Sequence, residues 1–237
     1  MRQLGVAAVV VLAFGAGFWT GNSYGGLRER VAQIERDFGE LKEQGAGAPG
    51  ARAARPSAPA AVRKVDIEGA PSRGPARGAV TVVEFTDYQC PYCRRVQGTV
   101  QRLLDEHPDQ VRHVVKHNPL SIHPQAPGAA KAAIAAGKQG KFWEMHKLIF
   151  ADPRQLGDDD LRERARVLGL DMDRFEEDFA SDETARIIAA DQAEARRLGA
   201  TGTPAFFING RLLSGAQPYE AFKARVDEEL GGNDVAG

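Results

Sequence analysis

The chain contains only two cysteines, Cys90 and Cys93, and two residues separate them. A run of β-branched and apolar residues at 80–86 comes before the pair and predicts a strand. Apolar residues at helical spacing follow over residues 92–107, where a His-Pro pair ends the pattern. The pair therefore lies where a strand turns into a helix, an arrangement typical of a dithiol redox centre.

The position of Cys90 favours a reactive thiolate. Cys90 falls at the predicted N-cap of the helix, and Pro91 occupies the first helical position, which suits proline. Unpaired backbone N–H groups and the positive end of the helix dipole face a sulfur at this place. In such motifs the pKa of the first cysteine falls to about 3.5–7 from roughly 8.5. Cys93, one turn further on, is expected to be buried, less acidic and able to resolve a mixed disulfide at Cys90.

Two other interpretations of the cysteine pair stay open from the residues alone. The pair could form half of a tetrahedral zinc site, but the chain has no second cysteine pair to complete four ligands. The histidines also lack the spacing of a zinc site; they are His107, His113, His117, His123 and His146. A purely structural disulfide is the other interpretation, although a bridge that closes so short a loop stabilises a fold little. We expect no metal and no cofactor.

The composition suits one globular domain with appendages, because the chain has 237 residues, 43% apolar residues and a net charge of −1. The balanced charge, without a basic stripe interleaved with aromatic residues, argues against a nucleic-acid partner. Both cysteines belong to the motif. The absence of further cysteines suits an extracytoplasmic protein, because additional thiols would form unwanted disulfides with substrates.

Residues 1–26 are predicted to form a membrane anchor. Arg2 precedes an uncharged run over residues 3–26, whose apolar core covers residues 4–20. An uncleaved anchor is favoured over a cleaved signal peptide, because bulky aromatic residues directly follow the best cleavage site. The remaining chain is then expected on the periplasmic side of a bacterial cell membrane. Secretion to the periplasm after signal cleavage is the alternative.

Residues 27–44 follow, with apolar residues spaced alternately four and three apart. These residues are Leu27, Val31, Ile34, Phe38 and Leu41. The spacing predicts a short amphipathic helix resembling a coiled coil, either as a spacer at the membrane or as the contact of a homodimer. Residues 45–64, rich in Ala, Gly, Pro and Arg, are predicted to be a flexible linker. We expect the compact domain over residues 65–230 and a tail at 231–237.

The pattern within the domain predicts an α/β fold. The expected elements are strands 80–86 and 111–118 around helix 92–107, then strands 205–209 and 211–214 joined by an Asn-Gly turn, then helix 218–229. Residues 126–198, between the two halves, predict several helices. A β-α-β unit followed by a β-β-α unit is the thioredoxin arrangement, here with a multi-helix insertion between its halves.

Four segments resemble signature segments of DsbA-like thiol:disulfide oxidoreductases, a family of the thioredoxin superfamily. They are residues 83–93 (VEFTDYQCPYC), 116–120 (KHNPL), 142–146 (FWEMH) and 199–210 (GATGTPAFFING). The segments occur in collinear order, and the resemblance covers residues 65–230. Membrane-anchored bacterial members of the family are the most similar subset.

The resemblance implies roles for individual residues. Cys90 corresponds to the exposed nucleophile and Cys93 to the resolving cysteine. Pro204 corresponds to the cis-proline of this fold, and the backbone of Thr203 before it is expected to pair with substrate as an added strand. Glu84 corresponds to an acidic residue beneath the site that exchanges a proton with Cys93. From the residues alone, Glu84 could instead face solvent at a sheet edge.

Pro91 and Tyr92, between the cysteines, are expected to contact substrate and to influence the thiolate. The implied activity is dithiol–disulfide exchange in extracytoplasmic proteins, with disulfide formation as the favoured direction. A reductase or isomerase on the same fold is the first alternative, and a non-catalytic metal-binding or chaperone module is the second. The expected partners are substrate proteins with thiols or disulfides and a membrane redox partner, either a quinone-linked oxidase or an electron-donating reductase.

Overall fold

The computed structural model describes residues 61–233. The predicted anchor (1–26), the amphipathic helix (27–44) and most of the predicted linker (45–64) lie outside the described residues, so their structure stays a prediction. Within residues 61–233, no helix combines the length and the apolar character needed to cross a membrane.

A five-stranded mixed sheet, in the order β1-β3-β2-β4-β5, organises the domain. The strands are β1 (Ser72–Arg73), β2 (Val80–Thr86), β3 (Val111–His117), β4 (Ala205–Ile208) and β5 (Arg211–Ser214). The central strand β2 is parallel to β3 and antiparallel to β4, and Glu84 of β2 lies between Val115 and Phe206. β1 and β5 pair antiparallel at the two edges. The end of β2, which leads to the cysteines, therefore lies in the middle of the sheet.

Seven helices surround the sheet in the described part of the chain. They are α1 (Pro91–Glu106), α2 (Ala126–Gly137), α3 (Phe142–Ala151), α4 (Asp158–Val167), α5 (Met172–Ala180), α6 (Asp182–Arg197) and α7 (Tyr219–Asn233). α1 and α7 cover one face of the sheet, where Val96 and Phe222 belong to the same buried cluster as Val82. α6 covers the other face, where the residue after it, Leu198, joins Phe85 in a separate cluster. Both faces of β2 are therefore buried.

Helices α2 to α6 form an insertion between β3 and β4, and this confirms the expected thioredoxin-like fold with a helical insertion. The alanine-rich helix α2 lies at its centre and contacts α3, α4, α5 and α6. The core of the insertion also includes Tyr88, Cys90 and Cys93. The insertion therefore packs directly against the cysteine loop.

Three local features differ from the sequence expectation. Strand β1 was not predicted, because two residues are too few for a periodic pattern. The N–H of Arg63 donates to the Gly210 carbonyl at 2.8 Å, and its guanidinium donates to the Leu198 carbonyl, so the domain begins before residue 65. Helix α7 continues to Asn233, past the expected helix end at residue 229 and the expected domain end at residue 230. The two glycines in its last turn weaken a helix but do not forbid one.

Candidate active site

The cysteine pair lies where β2 gives way to α1. Cys90 has an extended backbone (φ −74°, ψ 121°) and forms the N-cap of α1, with Pro91 directly after it. The N–H of Arg94 bonds to the Cys90 carbonyl at 3.2 Å and closes the first helical turn. That turn contains no acidic residue. The free N–H groups of the helix therefore face the Cys90 sulfur without a competing carboxylate.

Cys90 is held as a thiolate. The residue is only 4% exposed, and its Sγ lies 3.5 Å from the Thr203 carbonyl oxygen. Its pKa is lowered to about 5, first because the Cys93 thiol donates a hydrogen bond to it. Burial opposes the shift, while backbone N–H groups of Cys93 and Tyr92 and the Thr203 hydroxyl lower the pKa further. Cys90 is therefore ionised at neutral pH.

Cys93, in contrast to Cys90, is held as a protonated thiol. It is fully buried, and the N–H of Asp87 donates to its Sγ at 3.4 Å. Burial raises the pKa of Cys93 well above its ordinary value, and the hydrogen bond and charge of Cys90 and the charge of Glu84 add to the rise. Cys90 and Cys93 are not joined by a disulfide in the structure. Cys90 is not the exposed residue that the resemblance implied, but it keeps 4% of its surface exposed against 0% for Cys93. A substrate sulfur can meet Cys90 at that surface, while Cys93 can react only with Cys90 or with a sulfur bound to it.

The loop before β4 lies against Cys90. Its Thr203–Pro204 peptide bond is cis. Thr203 Oγ1 is buried and, within residues 61–233, has no partner at ordinary hydrogen-bond geometry, so this hydroxyl is free to turn towards a charged sulfur. Pro204 has no backbone N–H and adds no donor at this place. The structure therefore brings together Cys90, Thr203 and Pro204, which the sequence analysis predicted as site residues from two separate segments.

Glu84 lies in the interior, close to Cys93. Its side chain is fully buried in the central strand, so it does not face solvent at an edge. Gln97 Nε2 donates both to Glu84 Oε1, at 2.9 Å, and to the Cys93 carbonyl, at 3.1 Å. His113 Nε2 lies 3.1 Å from the other carboxylate oxygen. Glu84 is therefore a buried carboxylate that Gln97 links to the backbone of Cys93.

The hydrogen bonds around Glu84 continue in two directions. Arg73 Nε donates to His113 Nδ1 at 3.3 Å, which leaves the His113 proton on Nε2, facing Glu84. On the other side, His146 Nε2 lies 3.1 Å from Gln97 Oε1, and the Tyr88 hydroxyl lies 3.0 Å from His146 Nδ1. Burial lowers the pKa of both histidines, so they stay neutral at pH 7. These polar groups are buried but satisfied.

Asp87 fixes the loop that precedes Cys90. Its Oδ1 accepts from the N–H groups of Gln89, at 2.8 Å, and Cys90, at 3.1 Å. Its Oδ2 accepts from the N–H of Leu120 and from His123 Nδ1, both at 2.8 Å. One buried carboxylate thus ties the cysteine loop to the segment that follows β3.

Residues 81–227 match the family model of the DSBA-like thioredoxin domain. The chain belongs to this family. A solved thioredoxin-like oxidoreductase from Silicibacter pomeroyi DSS-3 is 35% identical, with 69% of this chain and 94% of that one covered and a TM-score of 0.64. A solved periplasmic thioredoxin-like protein from Salmonella enterica serovar Typhimurium is 25% identical, with coverages of 68% and 90% and a TM-score of 0.59. The family and the enzyme class expected from the sequence, a thiol-disulfide oxidoreductase, are confirmed.

The DsbA-like domain also matches part of much longer curated proteins. The Na(+)/H(+) antiporter NhaA 1 of Salinispora arenicola is 44% identical over 161 residues, which are 68% of this chain and 24% of that protein. The chain spans about a quarter of the length of the curated relatives it matches. Antiport is named for those longer proteins, and the match concerns only the part that they share with this chain.

Sequence reasoning missed the buried partners that orient Glu84 in this DsbA-like site. Gln97 follows Cys93 by four residues, so helical spacing places both on one face, and this signal could have found it. His113 interrupts the apolar alternation of β3, which is a weaker signal. No sequence signal indicated the role of Arg73, because the two-residue strand β1 that positions this residue was not predicted.

The remaining expected site residues of the DsbA-like domain lie at the surface beside Cys90. Pro91 is exposed, and Tyr92 is 54% exposed although it lies between two buried cysteines. Both can therefore contact a bound substrate. Within residues 61–233, no group of three or more His, Cys, Asp and Glu side chains is arranged to hold a metal ion.

Proposed function

We propose that this DsbA-like domain forms disulfide bonds in extracytoplasmic proteins through Cys90 and Cys93. The opposite shifts of the two thiols carry the proposal, because the pKa of Cys90 is lowered to about 5 while that of Cys93 is raised. Oxidation of the pair must give up the stabilisation of the Cys90 thiolate. A reduced form stabilised in this way makes the corresponding disulfide a strong oxidant.

The reaction begins with the Cys90–Cys93 disulfide. A substrate thiolate attacks Cys90 Sγ, a substrate–Cys90 bond forms, and Cys93 leaves with the electron pair and takes up a proton. A second substrate thiolate then attacks the substrate sulfur of this mixed disulfide. Cys90 leaves as a thiolate, which its low pKa favours. The substrate has lost two electrons, and the cysteine pair has gained them.

Three further residues support these steps. Glu84 exchanges the proton that Cys93 gains or loses, through a carboxylate whose other contacts are both donors. The half-buried backbone of Thr203, before Pro204, pairs with an extended substrate segment, which places the substrate sulfur at Cys90. Tyr92 offers that segment an exposed aromatic surface.

Turnover requires a partner that removes two electrons from the reduced pair. In the proposed direction this partner is a membrane oxidase linked to quinones, and the DsbA-like domain acts on the periplasmic side of the cell membrane, anchored by residues 1–26. Two observations support this location: the chain has no cysteine outside the motif, and it is similar to a periplasmic protein. In the reverse direction, an electron-donating membrane reductase would keep the pair reduced for reductase or isomerase activity.

The reduction potential of the pair tests the proposal. The full chain, solubilised in detergent, is equilibrated with glutathione buffers, and the oxidised fraction is counted after acid quenching and alkylation. Because the chain has no other cysteine, the whole signal belongs to the pair. We expect a potential near about −120 mV, where strong oxidases lie. A value near about −270 mV, as in thioredoxin, would assign the domain to the reductases.

A genetic measurement separates catalysis from a non-catalytic role. Cys90→Ser removes the nucleophile and is expected to abolish disulfide formation in cells that depend on this protein. A metal carrier or chaperone that uses only the groove near Pro204 would keep its function in the same variant.

A further inference from the structure

The exposed tyrosine between the cysteines is stacked against an arginine of α1. The guanidinium carbon of Arg95 lies 5.1 Å from the centre of the Tyr92 ring. Tyr92 is 54% exposed, and Arg95 is exposed as well. A cation held over a ring in this way loses rotational freedom while its charge still faces solvent. The stack therefore presents an ordered positive charge at Tyr92, the residue that separates Pro91 from Cys93 in the cysteine motif.

Apart from the stack on Tyr92, the Arg95 guanidinium has no ion-pair partner among residues 61–233. The residues three and four positions away on the helix carry no charge. Those residues are Pro91, Tyr92, Gly98 and Thr99. The neighbouring Arg94 is occupied, because its Nη2 reaches the Ala151 carbonyl at the end of α3, at 3.5 Å. A cation near a helix N-terminus is also opposed by the helix dipole, so helix stability does not account for Arg95.

The acidic side chains near the cysteines already have partners. Asp152, which follows the Ala151 that Arg94 reaches, accepts from the N–H of Arg154 and pairs with its guanidinium. The segments that surround Cys90 are residues 87–93, 118–125 and 199–204, and Asp87 is their only acidic residue. Its carboxylate is buried and is bonded to backbone N–H groups and to His123. Arg95 is also absent from the groups that lower the pKa of Cys90. Its charge is therefore available to an incoming molecule.

We propose that Arg95, held against Tyr92, binds a carboxylate beside the reacting cysteine of the partner polypeptide, and this inference rests on the proposed exchange at Cys90. The Arg95 guanidinium lies over the ring of Tyr92, the second residue after Cys90, so the charge is held towards the cysteine end of α1. Residues of an extended peptide are about 3.3 Å apart, so an Asp or Glu one or two positions from the substrate cysteine comes within reach. The domain would thus prefer cysteines with acidic neighbours.

Matched peptides test the preference. Three two-cysteine peptides differ only in the residues beside the first cysteine, which are Glu, the uncharged isostere Gln, or Lys. Exchange is followed in both directions, as peptide dithiol with the oxidised full chain and as peptide disulfide with the reduced chain. The readout is the ratio of the Glu rate to the Gln rate. For an exposed ion pair we expect a ratio of about two to five at low ionic strength, falling towards one in high salt.

Three variants of Arg95 test whether this residue causes the difference between the Glu and Gln peptides. Arg95→Gln is expected to bring the ratio to about one, Arg95→Lys to keep most of it, and Arg95→Glu to invert it so that the Lys peptide reacts fastest. Arg174→Gln is the control, because it removes an equally exposed charge from α5, which packs on other insertion helices. It is expected to leave the ratio unchanged.

Each outcome bears on the proposal. A ratio of one in the unaltered protein overturns it, as does a ratio that survives in Arg95→Gln or one that Arg95→Lys loses completely. Exchange with all three peptides at equal rates overturns this inference and leaves the proposed function standing. Absence of exchange with every peptide, in both directions, overturns both.

Discussion

The Thr203 hydroxyl can turn towards Cys90 and lowers its pKa, and a substitution can remove this group without altering the backbone. Thr203→Val keeps the shape of the side chain, so we expect the pKa of Cys90 to rise from about 5. A hydrogen bond to a charged group contributes about 1.5 kcal/mol or more, which corresponds to about one pH unit. The pH dependence of the alkylation rate of Cys90 measures this shift. Thr201→Val, in an exposed position of the same loop, is the control and should keep the original midpoint.

Glu84 makes a separate prediction at the residue scale. Glu84→Gln keeps the size of the side chain but replaces a proton acceptor with an amide. We expect attack by Cys93 on a mixed disulfide at Cys90 to slow by about 100-fold, the lower end for general base catalysis. Rapid-quench measurement of the resolution step, with a preformed mixed disulfide, gives this rate. Glu144→Gln, at the surface of α3, should resolve at the original rate, and an equal rate in Glu84→Gln would remove Glu84 from the mechanism.

Individual residues differ in how far the sequence could reveal them. Cys90 and Cys93 were predictable because their chemistry is rare and their spacing fixes them on one helical turn. Glu84 was recognised by its position, but its burial depended on β2 becoming the central strand, which only the pairing with β4 decides. Arg73 depended on a strand too short to predict. Contacts between side chains of distant segments could not be predicted, because no local sequence pattern indicates them.

At the scale of elements, the alanines of α2 determine how closely the insertion helices approach. Ala129, Ala132, Ala133, Ala135 and Ala136 are fully buried. Such small side chains let α3, α4, α5 and α6 pack on one helix. We expect Ala133→Leu to lower the free energy of unfolding by about 1–3 kcal/mol, because the added methyl groups have no space. Denaturant unfolding measures the change.

A matched control lies on the same helix. Lys131 is partly exposed, so Lys131→Leu adds a leucine to α2 without filling the core and should change the stability by about 0.5 kcal/mol or less. Equal losses in both variants would mean that helix propensity, and not packing, causes the effect. The sequence predicted several helices over residues 126–198, and α2 to α6 cover residues 126–197, but it gave no indication that α2 is the central one. That property comes from tertiary packing of small residues.

At the scale of the whole molecule, the redox state of the pair is coupled to stability. Between pH 5 and 9, Cys90 is ionised in the folded reduced chain but protonated in the unfolded one. The unfolded chain then binds more protons, so the stability of the reduced form rises with pH across this range. It is lost as the pH falls through about 5. The oxidised form has no thiols and lacks this dependence.

We therefore expect the reduced protein to unfold at higher denaturant concentration than the oxidised protein at pH 7, and the difference to shrink towards pH 5. Parallel unfolding curves of both redox states at several pH values measure it. Other groups, such as buried His117, whose pKa burial lowers to about 4, contribute in both states and cancel. A double variant, Cys90→Ala with Cys93→Ala, should show only this common dependence. A difference that is constant with pH would contradict the thiolate explanation.

The burial of Cys93 has a consequence for oxidative damage. Peroxide reacts with thiolates, so it would convert ionised Cys90, which alone of the two has any exposed surface, to the sulfenic acid and leave the protonated, fully buried Cys93 unreacted. Cys93 then attacks that sulfur, water leaves, and the product is the Cys90–Cys93 disulfide. That product is also a normal state of the catalytic cycle. An oxidant that damages exposed thiols elsewhere would therefore convert this protein to the disulfide form from which the proposed oxidation of substrates starts.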